Sequence, residues 1–322
     1  MTMELIGAGG MTDELKETYN RRMLSVLVKN LVYANYGRKD GIPTRGGKSI
    51  EWRRFERLTV GSHILTEGTP PTATTGTISK VEATVSQYGA YAQLSDLLET
   101  QSFDPLLDAY AQEFGRQMAE ELDMVVRDVV TATTTVQYAG AATAVGTSVS
   151  GAVGSGDYLS AAELLEAKRT LARVDARPIN GRYICLLHPD NTKDLFQDPD
   201  IVEAFETAAA DRGSNNPLAT GILGDWMGIR FVETSALNKA SSYGMSGADV
   251  YDVMLIADEA YGVTQIDALA AQMIIHPRGT GGHTDPLEQY STVGWKASLA
   301  AKILDQNRLV KIYCASSKTP AA

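Results

Sequence analysis

The stretch from Asp104 to Thr133 constrains the fold most, because it carries one continuous apolar stripe at helical spacing. Asp104 is a favourable N-cap and Pro105 a favourable first helical residue. A helix of roughly 29 residues is about 43 Å long at about 1.5 Å per residue. The sequence therefore predicts a helix that is long for a globular protein. The stripe consists of Leu107, Ala111, Phe114, Met118, Leu122, Val125, Val126 and Val129.

The outer face of this helix is acidic, with only Arg116 and Arg127 to balance its carboxylates. The formal net charge of the whole chain is −10, which argues against a nucleic-acid-binding domain, since such domains usually carry a basic face. Residues 1–57 hold 11 Lys/Arg against 7 Asp/Glu, a balance of +4, so the remaining residues carry −14. A basic N-terminal part and an acidic body could dock between copies of the chain. The acidic residues of the helix are Asp108, Glu113, Glu120, Glu121, Asp123 and Asp128.

Two long strands precede the helix and predict an extended hairpin. They run from Ser49 to Val60 and from Thr77 to about Leu94, joined by the polar, Pro- and Gly-rich stretch Gly61–Gly76. The alternation of apolar and polar residues along the first strand is interrupted at Arg53–Phe55, which indicates a bulge. Neither strand has enough apolar residues on one face to be stable alone, so the hairpin needs another surface to lie on.

The rest of the chain alternates helix and strand patterns, which indicates a second compact lobe and an α+β fold class. The charge-free, small-residue segment Ala139–Gly156 predicts a mobile loop. A short helix is also possible at Pro286–Gln289 in an otherwise extended tail. The predicted helices are 11–36 (as one helix or two short ones), 157–174, 189–196 and 201–210, and the predicted strands are 183–187, 229–234, 253–257, 261–266 and 308–314.

Composition and cysteine use point to an ordinary soluble chain made in a reducing cytoplasm. Hydrophobic residues make up 44% of the sequence, and no run approaches the roughly 18 apolar residues that a membrane span needs. Cys185 and Cys314 each lie in an apolar strand pattern, which predicts two buried, reduced thiols. No secretory signal is recognisable at Met1–Gly10.

Candidate catalytic and ligand sites are weak. The Gly-rich loop Pro277–His283 could expose backbone N–H groups to a phosphate, but it has no Lys-Ser/Thr pair and is better explained as a surface loop. A metal cluster of His276, His283, Asp285 and Glu288 would depart from zinc-site spacing. The sequence has only four histidines, and both cysteines lie in apolar strand patterns, so few residues could form a nucleophilic triad. The three tryptophans, Trp52, Trp226 and Trp295, are too dispersed for a stacking platform.

Three segments, in this order and after a hairpin and a long helix, resemble the Johnson-fold major capsid proteins of tailed phages. The first is Leu223–Thr234, similar to a Gly-hydrophobic-strand element of the family's axial domain. The second is Leu255–Gly262, similar to the strand that re-enters the peripheral domain. The third is Asp285–Gln289 with Thr292–Lys296 and Ala300–Leu304, which resembles a C-terminal signature of a large subfamily.

The resemblance covers nearly the whole chain and implies a Johnson-type α+β fold. Its spine helix would be the helix at about 104–134. The implied segments are an N-terminal arm (1–45), an E-loop hairpin (46–95), a peripheral domain with the spine helix (96–175), an axial domain (176–265) and a return to the peripheral domain (266–322).

The implied function is structural: hexamers and pentamers that form an icosahedral head shell around a double-stranded DNA genome. Scaffolding, portal and decoration proteins are implied as further partners. No cofactor, metal, membrane or sequence-specific nucleic acid is expected. The alternatives are an encapsulin-type compartment shell and a soluble enzyme that uses the Gly279–Gly282 loop.

We expect the hairpin of one copy to lie across a neighbouring copy, with its arginines near the acidic helix face. Such charge complementarity sets register and encounter rate more than affinity. A solvated strand face is the simpler alternative for the arginines. The candidate contact residues are Trp52, Arg53, Arg54 and Arg57 on the hairpin, and Glu113, Glu120, Glu121 and Asp123 on the helix.

Overall fold

The computed structural model describes most of the chain from residue 32 onward. The predicted helix at 11–36 therefore lies mainly outside the described residues, as do the N-cap pair Asp104–Pro105 and the loop Gly279–Gly282. The described residues are 32–43, 45–58, 60–61, 64–65, 67–68, 73–101, 106–146, 151–207, 224–241, 243–266, 271–278, 287 and 289–317.

Helices and strands alternate along the described chain as an α+β fold. The α-helices are α1 (Tyr33–Tyr36), α2 (Asp96–Gln101), α3 (Leu106–Thr131), α4 (Ala161–Arg173), α5 (Pro189–Leu195) and α6 (Pro199–Thr207). The strands are β1 (Arg38–Ile42), β2 (Ser49–Phe55), β3 (Ile78–Thr84), β4 (Ser86–Ser95), β5 (Val136–Tyr138), β6 (Tyr183–Leu187), β7 (Asp225–Trp226), β8 (Ile229–Glu233), β9 (Lys239–Ala240), β10 (Val250–Ile256), β11 (Tyr261–Ile266), β12 (Ala271–His276), β13 (Tyr290–Ile303) and β14 (Leu309–Cys314).

The first sheet is built on β13, a strand of 14 residues. β4 pairs antiparallel along one edge of β13, while β12 and then β11 pair antiparallel along the other edge, and β1 adds in parallel to β11. The long helix α3, of 26 residues, packs on this sheet. The Trp295 indole N–H of β13 donates a 3.1 Å hydrogen bond to Gln117 Oε1 of α3. The predicted apolar stripe is the side of α3 that faces the protein, since Met118, Leu122 and Val126 are all buried.

The second sheet has the strand order β5-β14-β10-β6-β8-β7, with β9 pairing with β10. Every residue of β6 and β10 is buried, so these strands are the centre of the lobe. Helix α4 contributes Leu164, Ala167 and Leu171 to the same core. The sheet takes one strand from 136–138 and another from 309–314, while 261–266 belongs to the first sheet. Its strands therefore come from a wider part of the sequence than 176–265.

The segment 139–156, predicted as a mobile loop, runs in turns and irregular backbone where the structure describes it, at 139–146 and 151–156, and specific contacts hold it there. Ala144 and Ala152 form a parallel bridge, and the Thr143 N–H donates to the Gly151 carbonyl at 2.8 Å. Val153 is buried in a small apolar cluster at the edge of the second sheet. Small side chains permit this close approach of two backbones, and composition alone does not distinguish such packing from a flexible linker.

Asp123 fixes the start of the described chain to the long helix. Its buried carboxylate Oδ1 accepts the backbone N–H groups of Tyr33 at 2.8 Å and Ala34 at 3.4 Å. The Tyr261 hydroxyl donates to the Tyr33 carbonyl from the first sheet. Burial raises the pKa of Asp123 to about 6, and the N–H donors oppose that shift only in part.

The base of the β2–β3 hairpin is anchored by Trp52. Its indole is buried and donates a 2.6 Å hydrogen bond to Asp40 Oδ2 of β1. Trp52 lies over Gly262, where a Cβ atom would stand 2.7 Å from Trp52 Cζ2. β2 and β3 pair residue for residue from Ser49 to Phe55, so the predicted bulge at Arg53–Phe55 is wrong.

We expect the unfolding free energy of the protein to fall by about 2 kcal/mol, relative to an Asp123→Asn variant, as the pH rises from about 4 to about 7. The folded pKa of about 6 exceeds the ordinary value of 3.8, so the folded state binds the proton more tightly and loses that advantage as the pH rises through this window. Urea unfolding of both chains at dilute, unassembled concentration measures the difference. A difference that does not change with pH would contradict the buried carboxylate.

We expect Gly262→Ala to displace the Trp52 indole and to lower stability by about 1–3 kcal/mol through overpacking. Tryptophan emission should shift to longer wavelength as the Trp52 ring becomes exposed to water. Gly156→Ala is the matched control, because nothing lies within 4 Å of the Cβ position at Gly156. Identical emission and unfolding midpoints for the two variants would show that the hairpin base does not depend on this contact.

Candidate functional site

The outer part of the hairpin exposes large apolar side chains, which we call the hairpin tip. Exposure ranges from 52% for Ile78 to 86% for Ile64. Scattered exposed apolar residues are common, but a group of them on one protruding element indicates a binding surface. The hairpin tip comprises Phe55, Leu58, Val60, Ile64, Leu65 and Ile78.

One face of the hairpin turns away from the protein body and carries cations beside the apolar pair. Residues directly opposite each other share a face, so Arg53 lies beside Lys80 and Phe55 beside Ile78. Two like charges side by side repel, and Glu51 offsets this by pairing with Arg53 at 2.6 Å and Lys80 at 3.6 Å. The hydrogen bond from Arg53 holds the pKa of Glu51 below its usual value. The outward face therefore presents basic and apolar side chains in succession.

The other face of the hairpin is tied to the body by a chain of charges. Arg54 pairs with Asp305, which also lies 3.4 Å from Arg308. Arg308 reaches Glu259 at 3.4 Å, and Glu259 in turn pairs with Arg38 at 3.1 Å. These exposed or half-exposed pairs each contribute little, about 0–1 kcal/mol, but together they give the hairpin base a defined position.

The solvent face of α3 is acidic, as the sequence predicts. Glu113 and Glu120 are exposed, with Arg116 between them at 2.6 Å from Glu113 and 3.9 Å from Glu120. Glu121 is half-buried. Met124, 46% exposed, is an apolar residue on the same side of the helix.

The structure divides the predicted contact residues into two groups. Trp52 and Asp123 are buried inside the chain, with partners of their own, so within the single chain their side chains do not reach the surface. The side chain of Arg54 is committed to Asp305. Arg53 and Arg57 are exposed and pair with Glu51 and Asp175 of the same chain. Glu113 and Glu120 are exposed beside Arg116, and Glu121 is half-buried.

The apolar residues of these surfaces were missed by sequence reasoning, among them Phe55, Ile78 and Met124. A strand has a side-chain period of two, so Phe55 shares a face with Arg53. The predicted bulge at Arg53–Phe55 would have changed the face on which Phe55 lies, so this alternation was not recognised. Met124 lies one helical turn after Glu120, and its place on the acidic face could have been found from the same spacing.

Within the described part of the chain, no group of three or more His, Cys, Asp or Glu could hold a metal ion. His276 is on β12, whereas His283, Asp285 and Glu288 lie outside the described residues. Cys185 and Cys314 are buried free thiols, and burial raises the pKa of both. No described helix is both long and apolar enough to span a membrane.

Comparison with known proteins agrees with this picture. The sequence profile of the family described as phage capsid protein matches residues 78–312. No curated protein sequence matches the chain.

Solved capsid structures share the fold at low sequence identity. The capsid of cyanophage P-SCSP1u is 17% identical, with 89% of each chain covered and a TM-score of 0.68. The capsid of cyanophage Pam1 is 16% identical over 89% of this chain and 92% of that chain, with a TM-score of 0.69. The capsid of Ralstonia phage GP4 is 16% identical over 89% and 88%, with a TM-score of 0.66.

These matches confirm the Johnson-type α+β fold. The profile match extends from β3 to β14 and so includes the long helix, the second sheet and the first sheet without β1. The family is structural and not enzymatic, which confirms that the chain is not an enzyme. The chain belongs to the phage capsid protein family and is a major capsid protein of the phage head shell.

Proposed function

We propose that the chain assembles as hexamers and pentamers into an icosahedral shell that encloses a double-stranded DNA genome. The observation that carries this proposal is the hairpin tip, whose six large apolar side chains remain exposed in the single chain. Burying each of them would contribute roughly 1.5–3 kcal/mol, so a second surface is strongly favoured. A neighbouring copy supplies that surface in a repeating shell.

The two sheets and the hairpin of each copy can be assigned to separate domains of the fold. We assign the first sheet and α3 to the peripheral domain, the hairpin to the E-loop, and the second sheet with α4, α5 and α6 to the axial domain. In this assignment β14 returns the C-terminal segment to the axial sheet, where it pairs with β10 from Tyr251 to Ile256. The chain thereby passes from the peripheral domain, at β13, to the axial domain, at β14.

The hairpin contact also accounts for the charge distribution. Arg53 and Arg57 are exposed cations of the hairpin, each also paired within the chain, and the carboxylates Glu113 and Glu120 lie on the solvent face of α3. Each exposed pair is weak, but charges of this kind set register between copies. The apolar hairpin tip supplies most of the stabilisation.

We expect the purified chain to form shells, tubes or capsomers, and the double variant Ile64→Ser with Leu65→Ser to remain monomeric. Both side chains are at least 70% exposed, so the variant should keep the unfolding midpoint of the original chain. Light scattering coupled to size-exclusion chromatography and negative-stain electron microscopy measure assembly.

Leu165→Ser on α4 is the matched control, because this exposed leucine lies outside the hairpin and should not affect assembly. A persistent monomer of the original chain, even with a crowding agent and varied salt, would contradict the proposal. So would full assembly of the Ile64→Ser, Leu65→Ser variant.

A further inference from the structure

The carboxyl group of Asp123 is buried between α3 and α1 without a cation of its own. Asp123 is 2% exposed, and Tyr33, whose backbone N–H it accepts, is fully buried. The guanidinium of Arg127 lies near, but its own bonds go to Asp128, at 2.8 Å, and to the Ala236 carbonyl, at 3.2 Å. Among the described residues, therefore, no ion pair compensates the charge of Asp123 when it is ionised.

The titratable groups that the neighbouring elements bring to this region do not supply the missing charge. The one cation, Lys311, donates its ammonium N–H to the Thr131 carbonyl at 2.7 Å. The carboxylate of Asp252 accepts a 2.8 Å hydrogen bond from the Asn238 amide, and the tyrosines are neutral. These groups are Tyr33 and Tyr36 on α1, Asp252 on β10, Tyr261 on β11 and Lys311 on β14.

Two buried oxygen atoms of this region have no hydrogen-bond partner among the described groups. They are Asp123 Oδ2 and the Tyr33 hydroxyl. Asp123 Oδ1, in contrast, accepts the N–H groups of Tyr33 and Ala34. A buried polar atom without a partner costs free energy, which contact with water removes. Because α1 is only four residues long and carries Tyr33, its displacement from α3 would bring both oxygen atoms into contact with water.

We propose that Asp123 is a proton-operated latch, which holds α1 against α3 when it is protonated and favours the opening of α1 when it is ionised. The protonated carboxyl group still offers its carbonyl oxygen to the two N–H groups, so the closed form then contains no buried charge. Helix α1 is the first described element of the chain, so its opening loosens the point at which the preceding residues join the body. The latch belongs to the single chain and does not depend on the proposed assembly.

The direction of the effect follows from the two environments of the carboxyl group. In the closed form its pKa is about 6, above the ordinary value of 3.8, whereas contact with water in the open form restores the ordinary value. The closed form therefore binds the proton more tightly and loses this advantage as the pH rises. The ratio of open to closed α1 should increase about 50-fold between pH 4 and pH 7.

Amide hydrogen exchange of the full-length chain, at dilute and unassembled concentration, measures the opening of α1. After correction for the intrinsic effect of pH on exchange, the opening constant of Tyr33–Tyr36 should rise about 50-fold from pH 4 to pH 7. At each pH it should exceed the opening constant of β10, whose fully buried residues exchange only when the lobe unfolds. The Asp123→Asn variant cannot ionise at this position and should show no such rise.

The Tyr33→Phe variant tests the geometry without changing a group that titrates in this range. It removes the unpaired hydroxyl and keeps the ring, so opening should become about tenfold rarer at every pH, with the same pH dependence. Tyr36→Phe is the matched control on the same helix. Tyr36 is only half-buried, so the loss of its hydroxyl should leave the opening constant unchanged.

Three results would overturn the latch. The first is an opening constant of α1 that does not change with pH. The second is the same opening constant for α1 and β10, because α1 would then open only when the lobe unfolds. The third is more frequent opening in the Tyr33→Phe variant. If Asp123→Asn does not fold, the pH series of the original chain and of Tyr33→Phe decides between the same outcomes.

Discussion

The seam between α3 and β13 is the interaction on which the rest of the structure depends. Helix α3 buries one stripe against the first sheet, with Met118 and Val126 fully buried. Near its other end the Thr131 carbonyl accepts a 2.7 Å hydrogen bond from the Lys311 ammonium of β14, in the second sheet. One helix therefore connects both lobes, and its length sets the distance over which the chain is spread.

Helix α3 is apolar on one side only, so its other side is exposed to water. The hairpin is likewise packed against the body on one face only. The inner hairpin face is anchored through Trp52, whereas the outer face and tip remain exposed. Both incomplete surfaces point to the same conclusion: the folded chain is one part of a larger assembly. Its stability inside a shell includes contacts that the isolated chain does not make.

The pattern of apolar residues was sufficient to predict the helices and strands in which that pattern is strong. The predicted strands at 183–187 and 261–266 coincide with β6 and β11, since apolar runs bounded by turn residues have few alternatives. The burial of Trp52 and Asp123 was not predictable, because each packs on a distant part of the chain, Trp52 on Gly262 and Asp123 on Tyr33. Phe55 was missed for a local reason, a presumed bulge that shifted its face. The small residues of 139–156 gave a loop prediction because nothing in their composition identifies the backbone they pack against.

Only Val85 separates β3 from β4, so the hairpin and the first sheet share what is nearly one continuous strand. A pull on the hairpin is transmitted along β4, which pairs with β13 over all of its 10 residues. Those hydrogen bonds are perpendicular to the strand and would be strained together, in shear, and not opened one after another. The short connection from β3 to β4 is thus mechanically strong. A force that a neighbouring copy applies to the hairpin is distributed over the whole first sheet.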